Sequence, residues 1–195
     1  MSVDASLRAR IESDVEQRLS PRRFLHSVGV AETAVALASI YGVDTTDAWV
    51  AGMLHDWDKE LRGQDLIDAV ERWGVPLDVD DPATDPVAHA FTGAQAVRAA
   101  YPELSEEIIA AIARHTVGDV RMTPLDCVVY IADAIEPGRR GRVAEVIREM
   151  AGTLSLEQLF LATYRLSLAK LMESGRPLYP ECARIFNAAL EGVDG

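Results

Sequence analysis

The chain has 195 residues, 49% of them hydrophobic and 26% charged, and a folded chain of this size buries roughly 70% of its unfolded surface around one core. That composition excludes disordered, collagen-like and disulfide-scaffold classes. Nineteen basic against 31 acidic side chains leave a net charge of −12, a field that repels polyanions, so nucleic acid is not an expected partner and an anionic substrate needs a local positive site. No uninterrupted apolar run approaches the ~18 residues of a membrane span. Asp4, Arg8, Arg10 and Glu12 break up the N-terminal segment where a signal peptide would be apolar. Cys127 and Cys182 form no C-x-x-C pair, and Cys127 lies inside an apolar run, which reads as a reduced, buried thiol in a cytoplasmic protein.

Helical periodicity begins at 5–19. Next, Phe24, Val28, Ala31, Val35 and Ala38 are spaced 4, 3, 4, 3. Leu25, Val30 and Leu37 make this second helix apolar nearly all round, which predicts a central position. Patterns at 45–55 and 63–73 follow. Asp85-Pro86 reads as an N-cap with proline at the first helical position, opening a helix to about Tyr101. Ser105 with Glu106 and Glu107 opens another that Gly118 stops, and Thr123-Pro124 opens a short one ending near Asp133. Further patterns cover 141–151, 155–173 and 180–190. Strand alternation is absent, so the expected fold is all-α, a helical bundle over residues 1–195 as a single domain without repeat or linker.

The four histidines occupy particular places. His26 lies near the start of the central helix. His55 directly precedes Asp56 at the end of the apolar stretch Ala48 to Leu54, and His89 falls in the first turn after Asp85-Pro86. His115 follows Ile108 and Ile112 on an inward stripe. Asp133 follows six apolar residues, Cys127 to Ala132, so it is expected to be buried. Near a helix C-terminus its charge needs a compensating cation or metal. One histidine on an apolar stripe is usually a hydrogen-bonded core residue. Four imidazoles and two carboxylates in inward positions instead offer mixed ligands suited to iron, manganese, zinc or nickel. With Asp56 as a bridge, the other five divide between two ions about 3.5–4 Å apart, a spacing suited to phosphoryl hydrolysis.

This pattern resembles the HD-domain phosphohydrolase superfamily in its two-metal form. The strings Phe24-Leu25-His26-Ser27-Val28-Gly29-Val30, Leu54-His55-Asp56-Trp57-Asp58-Lys59, Arg114-His115-Thr116-Val117-Gly118 and Tyr130-Ile131-Ala132-Asp133-Ala134-Ile135-Glu136-Pro137-Gly138-Arg139 are similar to the YqeK family of diadenosine tetraphosphate hydrolases. With Leu171-Met172-Glu173-Ser174-Gly175-Arg176-Pro177, the likeness spans about 20–190. The resemblance implies an HD-domain helical bundle in which His26, His55, Asp56 and Asp133 hold one metal and Asp56, His89 and His115 the other, with iron the usual occupant. It implies symmetrical cleavage to two ADP by a metal-bridging hydroxide, with Asp56, Lys59 and Arg139 as the candidate catalytic residues. The resemblance further implies that Lys59 and Arg139 bind substrate as phosphate clamps; the competing reading of each is a solvated surface cation.

Three departures from the family pattern stand out: Ala88-His89-Ala90 around the third histidine, Ala134 after the last aspartate, and Arg140-Gly141-Arg142 after Arg139. The pair Arg22-Arg23 and the arginines at 139, 140 and 142 lack the interleaved aromatics of a nucleic-acid platform. The alternatives are a nucleotide phosphomonoesterase of the same superfamily and a non-catalytic metal-binding regulatory module. The expected partner is a small nucleotide, not nucleic acid or membrane, and the oligomeric state, including a homodimer, stays open.

Overall fold

A computed structural model describes residues 5–194; Asp4 lies outside them. Among the described residues there are ten helices and no strand: α1 (Ala5–Arg18), α2 (Pro21–Tyr41), α3 (Thr45–Leu54), α4 (Gln64–Trp73), α5 (Asp85–Ala100), α6 (Glu106–Arg114), α7 (Pro124–Ile135), α8 (Arg142–Met150), α9 (Leu156–Glu173) and α10 (Cys182–Asp194). Several start where the local chemistry dictates. Asp44 caps α3 by accepting the Thr46 and Asp47 N–H groups at 2.7 and 3.0 Å. Ser105 caps α6, and reciprocal boxes, Thr123 with Asp126 and Ser155 with Gln158, open α7 and α9.

Helix α7 sits at the centre and packs against α2, α3, α6, α8 and α9. Its apolar run supplies the reason, since Val128, Val129, Ile131 and Ala132 are completely buried. Burial of each larger aliphatic side chain is worth about 1.5–3 kcal/mol. One core extends from Ile11 in α1 to Ile185 in α10, and a smaller cluster of Leu66, Val70 and Ala88 joins α4 to α5. Helices α2 and α3 pack so closely that Gly52 meets the backbone of Ala31, where an added Cβ would lie 2.8 Å from the Ala31 Cα.

The expectations from sequence need four corrections here. Helix α2 is not covered all round: Ser27, Val30, Ala31, Ala34, Leu37 and Ala38 face the core, but Leu25 is 69% and Ile40 54% exposed. By length and composition α2 would suffice to cross a membrane, yet this inner face is taken up by neighbouring helices. Thr84, not Asp85, occupies the N-cap of α5, and its hydroxyl donates to the carbonyls of Asp78 and Asp81 instead of capping. Helix α6 stops at Arg114, because His115 closes it and the chain turns to Gly118, whose φ of +76° favours glycine. Asp133 is half-buried, its side chain 23% exposed, because it opens onto the site formed at the helix ends.

Candidate metal centre

Five elements converge on one point. His26 comes from α2, His55 closes α3 and leads into Asp56, His89 lies in α5, His115 closes α6, and Asp133 stands in the last turn of α7. The Nε2 atoms of His26 and His55 are 3.3 Å apart, and those of His89 and His115 are also 3.3 Å apart. Asp56 lies between the two pairs. Its Oδ2 is 3.7 Å from His26 Nε2 and 3.5 Å from His55 Nε2; its Oδ1 is 3.4 Å from His89 Nε2 and 3.5 Å from His115 Nε2. Asp133 Oδ1 completes the first half, 3.0 Å from His26 Nε2 and 3.9 Å from His55 Nε2.

The other ring nitrogen of every imidazole is engaged. Nδ1 of His55, His89 and His115 points to the carbonyls of Gly52, Pro86 and Ile112 at 2.7, 3.1 and 2.7 Å, and Nδ1 of His26 to Glu136 Oε1 at 3.1 Å. An acceptor at Nδ1 leaves Nε2 free to ligate. Two nitrogens 3.3 Å apart can share an ion at a metal–nitrogen distance of ~2.1 Å with an angle of about 100°, between octahedral and tetrahedral demands. The groups His26, His55, Asp56 and Asp56, His89, His115 each gather their ligand atoms within 4.8 Å. The donors present therefore fit a pair of transition-metal ions.

Positive side chains ring these donors. Lys59 Nζ is 3.0 Å from His89 Nε2 and 3.9 Å from Asp56 Oδ1, and its side chain is 22% exposed, so it is not a solvated surface cation. Arg139 reaches Asp133 by Nη2 to Oδ1 at 2.5 Å and Nε to the carbonyl at 2.8 Å. This is the cation that the aspartate at a helix C-terminus requires. Burial favours the neutral carboxyl of Asp56, but the His55 charge and hydrogen bonds from His115, His55 and His89 outweigh it and hold the group well below its ordinary range. At Asp133 burial is likewise overridden, by the His26 hydrogen bond and the charges of Arg139 and His55. Burial pushes His89 down to about 3 and lowers His115 and Lys59. His55 goes the other way: burial opposes its charge, yet Asp56 and Asp133 raise its pKa.

All eight candidate site residues thus meet at one place. Residues of other roles join them. Arg23 Nη1 donates to Asp56 Oδ2 at 3.1 Å, although from sequence it figured only in a basic pair. Its three-residue spacing from His26 puts both on one helix face, the one signal that pointed there. Thr116 Oγ1 lies 2.8 Å from His115 Nε2 and 3.2 Å from His89 Nε2. The α1–α2 corner grips the turn that carries Asp56 and Lys59. Arg18 donates to the Trp57 carbonyl and to Asp58 Oδ1, both at 2.6 Å, and Ser20 N and Oγ donate to Glu60 at 2.7 and 2.6 Å. Arg114 ties α6 to α7 through Asp126 at 2.7 Å. Of the three departures, Ala88 and Ala90 are fully buried beside His89, Ala134 packs at the core margin, and residues 140–142 are exposed.

Residues 23–138 match the HD domain family. The chain is 32% identical over 178 residues to the symmetrical bis(5'-nucleosyl)-tetraphosphatase of Bacillus subtilis, covering 91% of this chain and 95% of that protein. It is 30% identical to the protein of the same name from Halalkalibacterium halodurans, covering 90% and 93%. A crystal structure from Clostridium acetobutylicum, described as a predicted HD superfamily hydrolase involved in NAD metabolism, superposes with a TM-score of 0.86 at 29% identity, over 94% of this chain and 97% of that one.

Proposed function

The chain belongs to the HD domain family, and from that premise we propose that it is a metal-dependent hydrolase that cuts diadenosine tetraphosphate symmetrically into two ADP. The activity is that named for the relatives it matches over most of its length. The observation that carries the reading is the division of Asp56, one oxygen toward His26 and His55 and the other toward His89 and His115. His26, His55, Asp56 and Asp133 would hold one ion, and Asp56, His89 and His115 the other. Iron is the expected occupant; manganese, zinc and nickel suit the same donors. Bound there, two such ions supply Lewis-acid polarisation of phosphoryl oxygens and a water nucleophile at neutral pH.

The chain's own groups bind and orient the substrate. A tetraphosphate must approach a protein of net charge −12, so the local cations decide capture. Lys59 faces the His89 half of the centre and Arg139 the Asp133 half. Each can therefore donate to a phosphate flanking the one that is cut, where charge grows in the transition state. Arg23 holds Asp56, and the Pro86 and Ile112 carbonyls hold the second histidine pair through Nδ1. ADP is a good enough leaving group to depart without a dedicated acid. We read residues 1–195 as one domain, supported by the continuous core from Ile11 to Ile185. A cytoplasmic setting is supported by Cys127 and Cys182, both buried and unpaired.

Hydrolysis of diadenosine tetraphosphate in heavy-oxygen water tests the reading. ADP is expected as the sole product, half of it carrying one heavy oxygen, with none in free phosphate. AMP with ATP rejects symmetrical cleavage. Phosphate release from a mononucleotide without dinucleotide turnover points to a phosphomonoesterase, and metal binding without any turnover to a regulatory module.

A further inference from the structure

His26 differs from the other three histidines in what stands behind it. His55, His89 and His115 each lean on the carbonyl three residues earlier, a neutral acceptor. His26 leans on a carboxylate, Glu136 Oε1 at 3.1 Å, and Glu136 is only 5% exposed. Glu136 caps the C-terminus of α7, three residues beyond Asp133. Its second oxygen accepts the Gly138 N–H at 2.5 Å. Its own carbonyl accepts the Arg139 N–H at 2.8 Å and Arg148 Nη2 at 2.7 Å. Both ends of the residue are held, so the carboxylate has one place to lie.

That place exists because of two glycines. A Cβ on Gly29 would stand 2.9 Å from Glu136 Oε2, and a Cβ on Gly138 would stand 2.8 and 2.9 Å from its two oxygens. Neither glycine has a positive φ, so backbone conformation does not call for them. Gly29 lies in the interior of α2, where glycine costs about 1 kcal/mol relative to alanine. The space it leaves is filled by the carboxylate behind His26.

We infer that Glu136 is a positioning residue that fixes the tautomer and orientation of His26, and that it selectively strengthens the half of the centre built from His26, His55, Asp56 and Asp133. A carboxylate behind a ligating imidazole fixes its tautomer and ring orientation, and removal of such a partner typically costs 10–100-fold in metal affinity. The inference rests on the two-ion reading given above.

The test is a titration of metal-free protein with Co²⁺, followed by visible absorption and by calorimetry, on wild type, Glu136→Gln and Gly29→Ala. Glutamine keeps the shape but carries only one acceptor oxygen, so either the His26 Nδ1–H or the Gly138 N–H loses its partner. Wild type is expected to take two ions. Glu136→Gln is expected to bind one of them about 10–100-fold more weakly, with the other unchanged and a cooperative melt retained. Gly29→Ala, which pushes on the carboxylate while leaving it present, should weaken the same ion. The double variant should be no worse than Glu136→Gln, because both act through one contact. Wild type that binds no ion overturns the two-ion reading itself. Two ions of unaltered affinity in Glu136→Gln overturn the role of Glu136 alone, as does equal weakening of both ions. If Glu136→Gln does not fold, Gly29→Ala decides: unaltered affinity in that variant overturns the inference.

Discussion

Gly52 and Gly93 are both buried glycines inside helices, and replacing each with alanine should shift stability in opposite directions. An alanine Cβ at 52 would lie 2.8 Å from the Ala31 Cα, 3.1 Å from its N and 3.3 Å from the Val30 carbonyl carbon, all backbone. Ordinary contact begins near 3.4 Å, so α2 and α3 must separate by about 0.6 Å, and no side-chain rotation can relieve it. Overpacking of this kind costs typically about 1–3 kcal/mol, and against backbone the upper part of that range applies. The gain in helix propensity offsets about 1 kcal/mol of it, leaving Gly52→Ala about 1–2 kcal/mol less stable. At Gly93 the nearest atom is 3.4 Å away, the Asp58 N, so alanine fits and the propensity gain of up to about 1 kcal/mol stands. For a chain of this size each kcal/mol moves Tm by about 2–4 °C. Thermal unfolding should place Gly52→Ala about 2–8 °C below wild type and Gly93→Ala up to about 4 °C above it. Since α2 carries His26 and Gly52 accepts from His55 Nδ1, Gly52→Ala should also lose metal on dialysis, and Gly93→Ala should not. Shifts of the same sign in both variants, or a Gly52→Ala protein as stable as wild type, would refute the reasoning.

Asp56→Ala should abolish turnover and lower metal content after reconstitution, because both halves of the centre use this carboxylate. Lys59→Ala and Arg139→Ala should keep metal and fold while kcat/KM falls about 10–1000-fold, the size of effect for cations that meet charge growing in transfer; equal metal loss in all three, read by elemental analysis, would contradict that division. Acid should destabilise the metal-free protein. His89, at about 3, lies below its ordinary value of 6.5, so between those limits the unfolded chain binds the extra proton and stability falls as pH drops. His115 adds to this and the raised His55 partly offsets it, while the lowered Asp56 and Asp133 extend the loss below about pH 4. Denaturant titrations should find the protein about 1–2 kcal/mol less stable at pH 5 than at pH 7.5, and the reverse order would contradict the assignment.

The sequence by itself determined the helices, because their caps and apolar spacings are local: Asp44, Ser105, Thr123 and Ser155 each bond backbone within three residues. It also indicated which residue types would meet, since four inward histidines and two aspartates, taken together, offer a mixed nitrogen and oxygen donor set. Only the tertiary structure decided how they meet. The two faces of Asp56, the Arg23 hydrogen bond across 33 residues and the Glu136 carboxylate behind His26 across 110 residues depend on how α2, α3 and α7 cross. Lys59 and Arg139 had two readings along the chain, because a lysine after an apolar helix either snorkels to water or turns inward. Packing of α5 beside the His55–Lys59 turn brings Lys59 to His89, and the short turn after α7 returns Arg139 to Asp133. Likewise Leu25 and Ile40 are apolar by sequence yet exposed. A period of 3.6 marks which residues share a stripe, and only the neighbours present in space determine how wide a stripe is covered.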